Sequence, residues 1–141
     1  MRNLFLLSLL ILMAFSCATT TQYVAQAEAQ TLDQNEAIIY LIRPSNFGSA
    51  AAMKIYQGKQ LIGKLGPKNY ISWKVNAHEG AVQIRSKGEN KDVLSIQPEA
   101  GQTYYIKQEA KLGYVYKART KLSIIDEEEA MHYLGEINKP S

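Results

Sequence analysis

The sequence predicts an all-β domain, an antiparallel β-sandwich of about seven to nine short strands closed by one short C-terminal helix. Three observations predict it. From Ala37 onward, short runs rich in Ile, Val and Tyr are separated by Gly, Pro, Asn and Lys turns at the spacing of sandwiches and barrels. Within the runs apolar residues recur at every second position, as in Ile71, Trp73 and Val75 between Ser72, Lys74 and Asn76. No long helical period interrupts this before residue 126. At 141 residues the chain has room for one ordinary domain and not for two.

The first strand, Ala37 to Arg43, is apolar on both faces, as a central strand covered twice would be. It ends at Arg43-Pro44 because proline cannot donate to a ladder. Residues 45–51 read as a loop. Met53 and Ile55 start a strand that Gln57-Gly58-Lys59 turns into Leu61 to Leu65, with Gly58 free to take a positive φ. Gly66-Pro67-Lys68 leads into the Ile71 to Val75 strand, whose alternation points Trp73 inward as a core anchor. Asn76 to Gly80 turns the chain again, Val82 and Ile84 continue the inward face, and Lys87 to Lys91 reads as a polar turn into Leu94 and Ile96. Pro98-Glu99-Ala100-Gly101 separates these from Tyr104-Tyr105-Ile106. Lys111 to Gly113 is a further break, before Tyr114-Val115-Tyr116 and then Leu122, Ile124 and Ile125.

A helix is predicted from Asp126. Asp126 is placed to cap it, Glu129 to reach back in a capping box, and Glu127 to Glu129 to complement the positive end of the helix dipole. Ile125 and Ala130 form a hydrophobic staple, and Ala130, Leu134 and Ile137 recur at helical spacing on one face.

The amino terminus has a different character. Met1-Arg2-Asn3 supplies a positive end, and Leu4 to Phe15 is apolar except for Ser8, the layout of an export signal and too short to span a bilayer. It ends at Ala14-Phe15-Ser16-Cys17, which resembles a lipobox, the site where bacterial lipoprotein signals are cleaved before a cysteine that receives lipid. Ser16 and Cys17 fit; Ala14 stands where leucine is usual, and Phe15 is bulkier than its usual counterpart. The alternative is ordinary cleavage after Ala18, for which Ser16-Cys17-Ala18 qualifies, while Ala25-Gln26-Ala27 lies too far beyond the apolar run. The expected organisation is a signal peptide over 1–16, a lipid-anchored flexible tether over 17–36 and a sandwich domain over 37–138. Acyl chains on Cys17 would hold the protein to a membrane without a protein span. Ala18 follows the cysteine where aspartate would favour inner-membrane retention, so the expected place is the outer membrane facing the periplasm.

Cys17 is the single cysteine, so the domain can hold no internal disulfide and depends on packing. The formal charge is +3, and losing Arg2 with the signal lowers it to +2. Lys and Arg are scattered along the chain without a dense block, which argues against a nucleic-acid partner and against a polybasic membrane patch.

Candidate chemistry is sparse. His78-Glu79 are adjacent in a turn with no nucleophile tied to them, and His132 sits in the helix, so neither an acid/base pair nor a zinc site follows. The acidic run from Asp126 to Glu129 lacks the alternating ligands and central glycine of a calcium loop. Gly63 to Lys68 lacks the spacing of a phosphate loop, and no serine occupies a nucleophile elbow. No catalytic residue, cofactor or metal is expected. Nine tyrosines are the compositional oddity. Alternation exposes some of them, and Tyr105, Tyr114 and Tyr116 are the candidates for a binding surface. Arg43, ending an apolar strand, is expected to pair with an acid or a backbone carbonyl.

In order along the chain, Tyr40-Leu41-Ile42-Arg43-Pro44, Gln57-Gly58-Lys59, Gly101-Gln102-Thr103-Tyr104-Tyr105 and Asp126-Glu127-Glu128-Glu129-Ala130 resemble a family of short bacterial envelope lipoproteins that share one small domain of unknown function. The turn Ala77-His78-Glu79-Gly80 departs from the Pro-Gly type expected in that family. The resemblance implies a sandwich and a lipoprotein, and it brings no known activity. Tyr104, shortly after Gly101 at a strand start, resembles a tyrosine corner and would brace the preceding connection. The functional expectation is a non-enzymatic binding or adaptor module at the membrane, with an envelope protein or cell-wall glycan as partner. An envelope enzyme with an unrecognised site and a purely structural envelope protein are the alternatives.

Overall fold

A computed structural model describes residues 32–47, 52–88, 90–112 and 118–138. Cys17, Tyr114 and Tyr116 lie outside them, as does the expected Tyr114 to Tyr116 strand. The elements are β1 (Glu36–Arg43), β2 (Met53–Gln57), β3 (Gln60–Leu65), β4 (Asn69–Asn76), a 3-10 turn (Ala77–Glu79), β5 (Val82–Lys87), β6 (Lys91–Ile96), β7 (Thr103–Leu112), β8 (Ala118–Ile125) and α1 (Glu127–Ile137). The strands form two four-stranded sheets, β4-β1-β7-β8 and β3-β2-β5-β6. The molecule is the all-β sandwich with a single short C-terminal helix that its pattern predicts.

β1 organises the first sheet. It pairs antiparallel with β4 and parallel with β7, and that parallel pair departs from the antiparallel expectation. A parallel neighbour needs a long crossover, which the chain supplies by building β2 to β6 before returning as β7. The strand is buried on both faces. Ala37, Ile39 and Leu41 join Ile55, Leu65, Val75, Val82, Ile84, Ile96, Ile106 and Leu122 in the core between the sheets. Ile42, on the opposite face, joins Tyr70 and Ala130, with Tyr40, Tyr105, Ile125, Tyr133, Leu134 and Ile137 packed around them. The helix therefore covers the outer face of β4-β1-β7-β8. Each buried aliphatic side chain stabilises the fold by about 1.5–3 kcal/mol relative to exposure, so both layers count.

Several boundaries differ from the sequence reading. Glu36 N donates to Asp33 O at 3.0 Å and Asp33 N to Glu36 Oε2 at 3.1 Å, so Asp33 is hydrogen-bonded to the start of β1, which begins at Glu36, one residue before the strand read from sequence. β7 runs on through Lys111 and Leu112, where a break was expected, because Lys107, Glu109 and Lys111 all take the outward positions and form ion pairs there. Lys87 and Lys91 are strand residues, paired across β5 and β6, and the turn is confined to the residues between them. Gly88 is required there: a Cβ on it would stand 2.5 Å from the Ala118 carbonyl oxygen. Asn90 fastens the same turn to β8, donating to Thr120 O at 3.0 Å and accepting from Thr120 N at 2.7 Å.

The helix starts as predicted at its cap and differs one turn later. Asp126 Oδ1 accepts from Glu129 N at 2.8 Å. Glu129 does not reach back to close a capping box. Its carboxylate accepts from Lys107 Nζ at 2.7 Å and from Tyr133 Oη at 3.0 Å, tying the helix to β7. The Lys107 hydrogen bond, followed by that from Tyr133, holds Glu129 below the ordinary carboxylate value of 4.5. The same bond raises Lys107 above its ordinary 10.5. A depressed carboxylate contributes stability above its unfolded value and loses it as pH falls through the folded one; a raised lysine contributes below its unfolded value and loses it at higher pH. Thermal stability should thus decline on acidification below 4.5, and Glu129→Gln should flatten that decline. Melting curves recorded from pH 7 to pH 3 test this, and an unchanged acid slope in the variant would contradict it.

Candidate functional site

The helix covers one sheet only. Across the other, β3-β2-β5-β6, strand alternation separates an inward set from an outward one. On β2, Met53 and Ile55 are buried while Lys54 is exposed; on β5, Val82, Ile84 and Ser86 are buried while Gln83 and Lys87 are exposed. Register then decides which outward residues stand together. Lys64 pairs with Lys54, Lys54 with Lys87, and Lys87 with Lys91, so four lysines form one row across the whole sheet. With neighbouring strands about 4.8 Å apart, the row is about 14 Å long.

A second row follows one pleat away, in which Tyr56 pairs with Leu61 and Arg85, and Arg85 with Val93. Leu61 and Val93 are 50% and 54% exposed, among the most exposed large apolar residues described. The Arg85 guanidinium lies 4.9 Å from the centre of the Tyr56 ring, and its Nη2 donates to Gly58 O at 3.0 Å. The face thus offers five cations beside an apolar strip, and no Asp or Glu occupies an outward position on the four strands. Among the described residues none of the four lysines has a carboxylate at ion-pair distance.

Like charges placed directly opposite each other destabilise a sheet. Lysines on edge strands commonly guard against edge-to-edge association, which accounts for Lys64 on β3 and Lys91 on β6. It does not account for Lys54 and Lys87, which stand on the two inner strands. The cations over the first sheet behave differently. Lys107 is paired with Glu129 and lies 3.7 Å from Glu109, and Lys111 is 3.9 Å from Glu109, so the open groove between β7 and α1 is internally neutralised.

The residues singled out from sequence are placed as follows. Trp73 is half-buried against the main core, and its Nε1 donates to Gln57 Oε1 at 2.8 Å. Tyr104 Oη donates to Gln97 O at 3.1 Å and accepts from Glu99 N at 3.0 Å, bracing the connection between β6 and β7. Tyr105 is half-buried beneath the helix with its ring 5.5 Å from that of Tyr40, and burial raises its pKa above 10.0. Arg43 is fully buried and donates to Leu65 O at 3.1 Å and Phe47 O at 3.0 Å, two backbone carbonyls that link the ends of β1 and β3. His78 Nε2 is 3.0 Å from Asn35 Oδ1, while Glu79 lies 3.5 Å from Asn76 Nδ2, so each turns to an amide. His132 is exposed on α1, 4.0 Å from Glu136. Among the described residues no three His, Cys, Asp or Glu side chains converge as a metal site would require.

Sequence reading missed the lysine row, and it expected no basic patch because the four lysines are dispersed along the chain. Two of its pairs have a local signal: Lys54 and Lys64 flank the predicted Gln57-Gly58-Lys59 hairpin, and Lys87 and Lys91 flank the next turn on that sheet. The joining pair, Lys54 with Lys87, depends on β2 lying beside β5, which no local pattern states.

Residues 33–120 match the family described as Protein of unknown function (DUF2846), well over half of the chain. The chain belongs to the DUF2846 family. The matched DUF2846 segment contains all four lysines of the row and stops within β8, before the helix. A protein of Haemophilus influenzae described only as uncharacterized is 29% identical over 100 residues, covering 71% of this chain and 58% of that protein. The chain thus spans less than two thirds of the length of this relative.

If the row is held against its own repulsion, relieving it should strengthen the fold. Lys54→Glu replaces two like-charged cross-strand pairs by two opposite ones, and the melting temperature should rise by roughly 2–5 °C at low ionic strength. The gain should shrink at high salt. Calorimetry of the two chains at low and high salt checks this, and a lowered melting temperature would show that Lys54 makes a stabilising contact.

Proposed function

We propose that this DUF2846 protein is a lipid-anchored protein of the bacterial envelope, placed at the outer membrane facing the periplasm. Its sandwich is a non-enzymatic binding module, and its docking face is the outer face of β3-β2-β5-β6. One observation carries the binding role: four lysines in register across a sheet that, among the described residues, has neither a covering element nor carboxylate partners for them. A fold that keeps two of them on inner strands, at a cost in stability, is consistent with selection for a partner.

The anchor is supported by the apolar Leu4 to Phe15 run and by Ser16-Cys17 at its end. Mass spectrometry of the mature amino terminus tests the anchor. An acylated Cys17 should be the first residue, and Cys17→Ala should move the protein from the membrane to the soluble fraction. An unmodified terminus beginning after Ala18 would contradict the anchor.

A further inference from the structure

We infer that the lysine row binds a linear acidic polysaccharide laid across the strands, a glycan whose carboxylates or phosphates repeat along its length. This rests on the binding-module reading above and names its partner by chemistry. The row runs across the strands, in the hydrogen-bonding direction of the sheet, from Lys64 through Lys54 and Lys87 to Lys91. Its period is the strand spacing of about 4.8 Å. That is close to the length of one pyranose unit, so successive acidic sugars can each meet a lysine.

Shape agrees with spacing. A four-stranded sheet with nothing laid over it among the described residues is a platform and not a cleft, and small ligands are held in clefts. An extended polymer needs only a track. The adjoining row of Leu61, Tyr56, Arg85 and Val93 supplies an apolar strip for the C–H faces of the sugars. It also supplies a guanidinium already held in place by Tyr56 and Gly58. Such a planar fork suits a carboxylate better than another flexible ammonium would.

Two other anionic partners fit less well. A membrane surface is met by apolar groups that lead into the interface with basic groups behind them. Here two exposed aliphatic residues, Leu61 and Val93, stand among five cations, so the face presents charge before apolar surface. Single-stranded nucleic acid is held by bases stacked on exposed aromatic rings. Tyr56 is the aromatic residue on this face, and Arg85 lies over its ring.

The test titrates the full chain, carried in neutral detergent micelles, with polygalacturonate, which bears one carboxylate per ring. The fully methyl-esterified polymer, phosphatidylglycerol vesicles and an oligothymidylate serve as comparisons. Saturable binding to polygalacturonate alone is expected, weakening with salt. Lys54→Glu with Lys87→Glu should weaken it at least tenfold. The charge-matched pair Lys59→Glu with Lys121→Glu, off the row, should weaken it less than threefold. Circular dichroism establishes that each variant is folded. Equal losses in both pairs, absence of polygalacturonate binding, or tighter binding of vesicles or oligonucleotide through the same lysines would overturn the inference. If the Lys54 and Lys87 variant loses retention on isolated envelopes but not polygalacturonate binding, the partner named here is wrong and the binding-module reading survives. Cys17→Ala should leave the titration unchanged, which separates this outcome from that of the lipid anchor.

Discussion

The fold depends on β1 being buried on both faces. All eight of its residues pair with β4 on one side, and Ile38 to Ile42 pair with β7 on the other. Their side chains alternate between the core that joins the two sheets and the layer beneath the helix. A strand with apolar residues at nearly every position can be satisfied only when something covers each face. The second sheet covers one and α1 covers the other, held there by Ala130, Tyr133, Leu134 and Ile137 and by the Lys107 to Glu129 hydrogen bond.

That requirement makes the molecule asymmetric. Among the described residues, one short helix lies on the first sheet and nothing is laid over the outer face of the second. At the end of the sandwich where the open sheet meets β8, polar groups replace apolar ones. Gln108, Ser86 and Thr120 are buried and hydrogen-bonded to one another, with Gln108 Nε2 also 3.2 Å from the Met53 sulfur. Asn90 and Asp92 carry the connection outward by bonding the backbone of Thr120 and Leu122. Directional bonds of this kind, costly to leave unmade when buried, fix how the β5 and β6 strands sit against β8. The β2–β5 ladder itself sets Lys87 level with Lys54.

Much of the architecture is legible in the chain. The alternation around Trp73, the Gly58 hairpin, the Asp126 cap and the position of Tyr104 after Gly101 are local patterns, and local physics decides each. What escapes is set by pairing between segments distant in sequence. Glu129 has a local partner available in the capping box and takes a better one, Lys107, which only the packing of α1 on β7 brings near. The parallel neighbour of β1 follows from where β7 returns. The lysine row escapes most completely: Lys87 and Lys91 are polar residues beside a glycine and read as turn, and the register of β2 against β5 has no signature. Dispersed charge along a chain therefore says little about charge on a face. Sheet register can gather what the sequence scatters.

On the proposed function, the partner meets the outer face of β3-β2-β5-β6, uncovered among the described residues, and not the helix-covered face of the first sheet. Leu61 and Val93 on the open face and Met131 on the helix are comparably exposed at 50%, 54% and 47%. A photoreactive residue at each of these positions in turn, irradiated in growing cells, therefore compares the two faces at equal accessibility. Adducts from positions 61 and 93 with none from 131 are the result this account predicts; adducts from 131, or equal yields at all three, would contradict it.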